Sequence, residues 1–481
     1  MVEMDASYRR WVLFVTTLGA FMAPLDGSIV SVALPSIAST FRMGYSEVIW
    51  VPVAYLLCLT ALLLTFGRLS DIRGRKLFFI FGFVLFTVAS ALAGLSQNGG
   101  ELIICRGCQG VGSAMIGATS AAIVTDVFPP EGRGRALGVN TLAVYSGLSV
   151  GPTLGGILVQ SLGWRSIFYV NVPVGIVVVA VAAIKLRETV KPRRFDERFD
   201  YLGATSFTCG LSLVLLGLTL VGTVPFTELA VAGVMLAGLG LLAVFLITEQ
   251  KRGKNALLDL GLFRGNRLFA SANLSALLNY TAYFAVPYFL SFYLQRLIGY
   301  SPIVAGLILV SMPVPMALLS PISGWLSDRY GSRLFASIGM SLICVSLLLM
   351  SQLGVNTPFD YVIGLLFMMG VGMGFFSAPN TSSVMGSVEK PSLGAASGTL
   401  ATMRFMGQSL SLAVMGAVAA TVIPPSLLSA IFVGTGSNTV SANSFLRGES
   451  RAFLCGATVA LVGTLTSTVR GNEKSRVKRK K

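Results

Sequence analysis

Histidine is missing from all 481 residues. Its absence removes the usual imidazole base, the Ser-His triad and the commonest metal ligand, which argues strongly against an enzyme. Charge is scarce as well. Only 12% of the residues are Asp, Glu, Lys or Arg, where a soluble domain carries about 25%. No GxxxxGK[ST] loop is present to cradle a nucleotide, which argues against a nucleotide-driven pump. The loops hold no clustered carboxylates that could bind a metal, and neither a metal nor a cofactor is expected. The six cysteines, Cys58, Cys105, Cys108, Cys209, Cys344 and Cys455, all fall in apolar stretches and read as small packing residues. Cys105-Arg-Gly-Cys108 has redox spacing but no βαβ context.

What is abundant is apolar sequence. Hydrophobic residues make up 54% of the chain, with 53 glycines among them and around them. A membrane helix needs about 20 mostly apolar residues, and fourteen segments qualify: 11–37, 47–67, 77–96, 101–126, 136–161, 166–186, 201–221, 228–249, 268–295, 302–326, 334–353, 360–386, 393–423 and 448–469. The first is too long for the apolar region of a cleavable signal peptide, so it is expected to stay.

The basic residues fix an orientation. Of the 36 Lys and Arg, 29 lie in alternate loops that include both termini. The opposite loops hold five, Arg42, Arg165, Arg296, Arg447 and Arg451, and Arg106 and Arg404 lie inside apolar segments. The positive-inside rule then places both termini in the cytoplasm of a multi-pass protein of the cell membrane. The net charge of +16 is therefore topogenic. The run Lys474-Ser-Arg-Val-Lys-Arg-Lys-Lys481 reads as a cytoplasmic tail beside anionic lipid and not as a nucleic-acid arm.

The chain repeats itself. Gly67-Arg-Leu-Ser-Asp71-Ile-Arg-Gly74-Arg75-Lys76 returns as Gly324-Trp-Leu-Ser-Asp328-Arg-Tyr-Gly331-Ser-Arg333, 257 residues on, and Gly110-Val-Gly112 returns as Gly370-Val-Gly372, 260 residues on. The expected architecture is all-α. It has a six-helix half over 1–190, an inserted pair of helices with basic linkers over 191–267, a second six-helix half over 268–470 and a basic tail over 471–481. Parallel six-helix halves around a central site are a transporter plan.

Asp26 stands out against this background as the single formal charge between Arg10 and Arg42. A carboxylate at that depth is costly and marks a functional position. Helical rise places it roughly 22 Å from the inner end of its helix and Arg404 roughly 18 Å from the inner end of its own, while Arg106 lies roughly 8 Å below the outer end. By depth Arg404 competes with Arg106 as the partner of Asp26. Asp26 is expected to hold a proton, a cationic substrate, or each in turn. Trp50, Tyr55, Gln109, Tyr280, Tyr283, Phe284 and Met312 could line a pocket for flat lipophilic cations.

These stretches together resemble the major facilitator superfamily, and within it the fourteen-helix drug:proton antiporters, over nearly the whole chain. Gly67–Lys76 is similar to the superfamily's loop between helices 2 and 3, although Ile72 stands where a basic residue is usual. The resemblance implies a cytoplasmic gate at Gly67, Asp71, Gly74, Arg75 and Asp328, with Asp71 pairing with basic groups and a helix N-terminus across the cytoplasmic face and latching the two halves while the site faces outward. Leu102-Ile-Ile-Cys-Arg106-Gly-Cys-Gln109-Gly110-Val-Gly112 resembles the helix-4 signature, whose Arg is tied to proton coupling. Gly147-Leu-Ser-Val-Gly151-Pro152-Thr-Leu-Gly155-Gly156 resembles the helix-5 antiporter signature, which implies a hinge or seal at Gly147, Gly151, Pro152, Gly155 and Gly156. Glycines 147, 151 and 155 share one helix face. Leu25-Asp26 through Pro35 resembles the helix-1 signature of that branch, and Trp164 through Pro173 is read as structural.

What the resemblance implies is proton-coupled efflux of lipophilic, cationic drugs by alternating access. The proton gradient drives it, with no cofactor, and the partners are membrane lipids, protons and small molecules. A monomer is expected to suffice. The alternatives are export of a metabolite, peptide or siderophore, and a membrane sensor, which the want of a soluble signalling domain disfavours.

Overall fold

A computed structural model of the chain describes residues 5–188, 200–221, 228–252, 257–389, 392–423 and 439–470. Among them there is no strand. The long helices are α1 (Ala6–Phe41), α2 (Trp50–Arg73), α3 (Arg75–Leu95), α4 (Gly99–Val127), α5 (Pro130–Leu162), α6 (Ser166–Lys185), α7 (Tyr201–Leu220), α8 (Glu228–Arg252), α9 (Arg267–Tyr283, running on through Val286–Phe292), α10 (Pro302–Tyr330), α11 (Ser332–Met350), α12 (Phe359–Gly386), α13 (Leu393–Ala420) and α14 (Thr439–Thr468). Twelve are long and apolar enough to cross a membrane. The other two are α9, which is interrupted, and α13, which carries Arg404 and a row of Ser, Thr and Gln.

Within a bilayer each backbone polar group must be satisfied by the protein. The helices achieve this internally, and their hydroxyls fold back on the same backbone. Thr60 donates to the Leu56 carbonyl at 2.7 Å and Thr87 to that of Phe83 at 2.6 Å. The breaks follow proline. Pro287 and Pro313 lack a donor, so the chain bends just ahead of each and a new helix starts at Val286 and at Pro313. The expected span 268–295 is interrupted ahead of Val286, whereas Pro302–Tyr330 crosses as one span, as expected for 302–326. Sequence patterning began the last span at 448, whereas α14 starts at Thr439, on polar residues whose composition resembles a loop.

The sequence repeat is a repeat of geometry. Gly74 and Gly331 end α2 and α10 with φ of 111° and 96°, a region that side chains rarely adopt, so each hairpin turn needs glycine. A Cβ on Gly110 would lie 2.3 Å from the Tyr55 carbonyl oxygen, and one on Gly370 2.1 Å from that of Met312. The residues on both sides of this crossing keep the sequence offsets. One six-helix half is built from α1–α6 and the other from α9–α14. The pair α7 and α8 is inserted between them. It packs glycine to glycine at Gly210 and Gly238 and seats Phe207, Leu211 and Leu215 against Ala61 and Leu64 of α2 and Ala413 of α13. The outer face of α8 stays exposed and apolar, with Leu229, Leu236 and Leu239 on it.

Candidate functional site

α1 brings Asp26 to the centre of the first half, where it is 2% exposed. α4 supplies Arg106, 1% exposed, whose Nη1 donates to Asp26 Oδ2 at 2.6 Å. The same nitrogen reaches Gln109 Oε1 at 2.9 Å, and Nε donates to the Val51 carbonyl at 3.3 Å. The guanidinium lies 4.4 Å from the centre of the Tyr55 ring. The other carboxylate oxygen accepts from Asn171 Nδ2 at 2.9 Å, and that amide also donates to Ser90 Oγ at 3.1 Å. Ser90 in turn donates to the Phe168 carbonyl at 2.8 Å. Tyr288 of α9 reaches in from the second half, its hydroxyl donating to the Gly27 carbonyl at 3.2 Å.

Burying two ions is expensive unless both are paired and their remaining hydrogen-bonding positions filled. Here both oxygens of Asp26 have donors. The depth estimate had left Arg106 and Arg404 as rivals, with Arg106 a turn or two above the carboxylate. The length of the Arg106 side chain closes that gap. Asn171 and Ser90 were not among the expected site residues. The stretch that holds Asn171 was read as structural, and its one signal was an amide in an otherwise apolar run.

Arg404 lies elsewhere. It is half-buried on α13, 4.8 Å from the centre of the Phe405 ring and beside Tyr280 and Tyr283 of α9. Among the described residues no carboxylate pairs with it. Tyr145 of α5 closes the same cluster by a 3.0 Å hydrogen bond to Ser377 of α12. The expected pocket residues are thus divided. Tyr55 and Gln109 serve the ion pair, and Tyr280 and Tyr283 flank Arg404. Phe284 packs on Tyr288 with ring centres 5.7 Å apart, Met312 lies at the α10–α12 crossing, and Trp50 is half-buried at the start of α2.

The expected gate residues bond within their own halves. The latch expected of Asp71 belongs to a state that faces outward. Here Asp71 binds Arg75, at 2.6 and 3.0 Å, because the tight turn at Gly74 brings that guanidinium back over the end of α2. Arg75 also pairs with Asp126 of α4 at 2.6 Å and donates to the Ala122 carbonyl at 3.0 Å. Glu188 receives the backbone N–H of Arg75 and of Lys76 at 3.0 and 3.1 Å, capping α3. Asp328 accepts from Ser382 of its own half at 3.5 Å.

The halves meet at the opposite end. Gln295 donates to the Val32 carbonyl at 2.9 Å, Arg296 to that of Pro35, and the Ile303 N–H to Gln160 Oε1 at 3.3 Å. Glycine lets α5 press on two neighbours at once. A Cβ on Gly147 would sit 2.5 Å from the Phe21 carbonyl oxygen, one on Gly151 1.8 Å from Ser28 Oγ, and one on Gly155 3.1 Å from the Ile29 carbonyl oxygen, all on the helix that carries Asp26. On the other side a Cβ on Gly156 would lie 2.4 Å from the Pro302 carbonyl oxygen, and one on Gly306 2.2 Å from that of Pro152.

Comparison with known proteins agrees with this architecture. The model of the Major Facilitator Superfamily matches residues 16–263 and 272–447. The chain belongs to the major facilitator superfamily. Among its relatives are the riboflavin transporter RibZ of Clostridioides difficile (strain 630), 34% identical over 408 residues, 84% of this chain and 87% of that one, and the multidrug resistance protein Stp of Mycobacterium tuberculosis, 32% identical over 417 residues, 85% and 75%. Similar folds include a bacterial homologue of the lysosomal transporter Spinster in an inward-facing, unoccupied conformation, with TM-score 0.70, 15% identity and 97% and 98% of the two chains covered. A D-xylose-proton symporter matches with TM-score 0.67, 15% identity and the same coverage. As a member of this superfamily the chain is a multi-pass membrane transporter.

Proposed function

We propose that this transporter is a proton-coupled exporter of lipophilic small molecules, of the fourteen-helix drug:proton antiporter kind, acting in the cytoplasmic membrane as a monomer with both termini inside. The observation that carries the reading is the isolated ion pair of Asp26 and Arg106, shut off from solvent and completed by Asn171. A proton reaching Asp26 cancels its charge and releases Arg106, and loss of the proton restores the pair. Each change alters the contacts between α1, α4 and α6, which gives the proton a hold on the packing of the whole half. Inward movement of one proton supplies about 2.3 kcal/mol per 100 mV. The glycine face of α5 carries the motion of α1 to the seal, and Gly67, Asp71, Gly74, Arg75 and Asp328 form the inner gate. With the Pro35 end taken as outer, the bonds across the halves describe a state closed to the outside. Efflux driven by a pH gradient in proteoliposomes tests the reading. Wild type transports, Asp26→Asn does not, and proton-driven efflux by Asp26→Asn would overturn it.

A second reading concerns the cargo. The expectation of a cationic substrate needs a free carboxylate, and Asp26 already has a cation. Near the interface Arg404 has no carboxylate partner among the described residues and stands among three tyrosines. That arrangement suits flat rings rich in acceptors, a class to which riboflavin, the cargo named for RibZ, belongs. Competition by aromatic carboxylates, neutral heterocycles and lipophilic cations discriminates the two.

A further inference from the structure

A second buried carboxyl sits on α14. Glu449 is 2% exposed, and among the described residues neither Oε1 nor Oε2 has a hydrogen-bond partner. Among the described residues no cation pairs with it. Arg447 and Arg451, two residues to either side, are exposed on other faces of the helix. From α9 the titratable group that faces it is Tyr293, whose hydroxyl is already donated to the Gly354 carbonyl at 2.8 Å. From α11 the nearest such group on the α14 contact is Cys344, its thiol bonded to the Ala457 carbonyl two turns deeper. Ala419 of α13 and Ile423 just beyond its end lie beside Gly448. The chain from 424 to 438 contains no Lys, Arg or His that could serve as a counter-ion.

An ionised carboxylate so placed would have no compensation for its lost hydration. Asp26, with an arginine on one oxygen and an amide on the other, is the opposite case. The location of Glu449 is as informative as its burial. Its neighbour Tyr293 opens a π-turn, Tyr293–Leu297, a form of helix that recurs at functional sites. That turn carries Gln295 and Arg296, which bind the Val32 and Pro35 carbonyls of the other half. Opening the seal at this end must move the turn that carries Gln295 and Arg296, and with them Tyr293 beside Glu449.

We propose that Glu449 is a second proton-binding site of the transport cycle, neutral while the Pro35 end is closed and in exchange with the solution at that end when the seal opens. The proposal rests on the proton-coupled reading above, so its test has one measurement independent of transport. Infrared spectra of the purified protein in lipid at neutral pH, wild type minus Glu449→Gln, are expected to contain the C=O band of a protonated carboxyl that shifts slowly in heavy water. A difference spectrum with carboxylate bands instead would overturn the proposal. In proteoliposomes the dependence of transport on the pH at the Pro35 side is expected to lose one ionisation in Glu449→Gln, with the number of protons moved per substrate as in wild type, and Glu449→Asp to restore that ionisation. An unchanged pH profile in a folded Glu449→Gln would equally overturn it. If Asp26→Asn keeps proton-driven efflux while the infrared band is present, the coupling role of Asp26 fails and the buried acid stands.

Discussion

Arg106 Nη1 stands 2.6 Å from Asp26 Oδ2, and the two residues come from helices 80 positions apart in a region where neither meets water. The pair is a structural member of the first half as well as a candidate switch, and the two roles separate by mutation. Arg106→Ala leaves a buried carboxylate unpaired, and losing one partner of such a pair costs about 3–5 kcal/mol. Thermal unfolding in detergent is expected to show a marked loss for Arg106→Ala. Adding Asp26→Asn should recover much of the stability while transport stays absent. Equal stability of the single and double variants would contradict the pairing.

Asn171 donates to the Asp26 oxygen that Arg106 does not hold. A hydrogen bond to a charged group contributes about 1.5–3 kcal/mol, so Asn171→Ala is expected to lower proton-driven transport roughly tenfold or more, with the protein still folded by circular dichroism. Ser90→Ala removes a support one bond further away and should have the smaller effect. The reverse order would show that the amide does not orient the carboxylate.

Gly156 meets the Pro302 carbonyl with no room for a side chain. Gly156→Val is expected to hold the halves apart at this end, read as a longer distance between spin labels placed on α5 and α10. Gly151→Val acts on the other face, against Ser28, and should instead displace α1 and disable coupling while the α5–α10 distance stays as in wild type.

Arg404 has no carboxylate partner among the described residues. If it receives acceptor-rich rings, Arg404→Ala is expected to abolish competition by aromatic carboxylates and to leave that of lipophilic cations intact. Loss of both together would assign Arg404 to the transport machinery and not to cargo selection.

Much of this was legible in the sequence. The lone charges Asp26, Arg106 and Arg404 were visible because a charge in an apolar run is conspicuous. The repeat was visible because Gly74 and Gly331 cannot be replaced at their turns. Pairings were harder to read. Depth counted along a helix axis ignores the reach of a guanidinium, so Arg404 looked as well placed as Arg106. Asn171 was hidden because an uncharged amide in an apolar run resembles packing. Asp71 kept to its own half because the turn at Gly74 returns Arg75 to it, a consequence of backbone direction that a one-dimensional pattern does not record. Glu449 escaped notice for a different reason. Arg447 and Arg451 flank it, so the stretch resembled the rim of the membrane until α14 was seen to begin ten residues earlier.

The crossing of α5 and α10 has one more implication. Pro152 offers its carbonyl to Gly306, and Pro302 offers its carbonyl to Gly156. Contact at those two glycines is main chain on main chain, with the Gln160 side chain alongside accepting from the Ile303 N–H. The fit there depends on two small residues and the backbone opposite them, so a substitution at a cargo-facing position elsewhere leaves it unaltered.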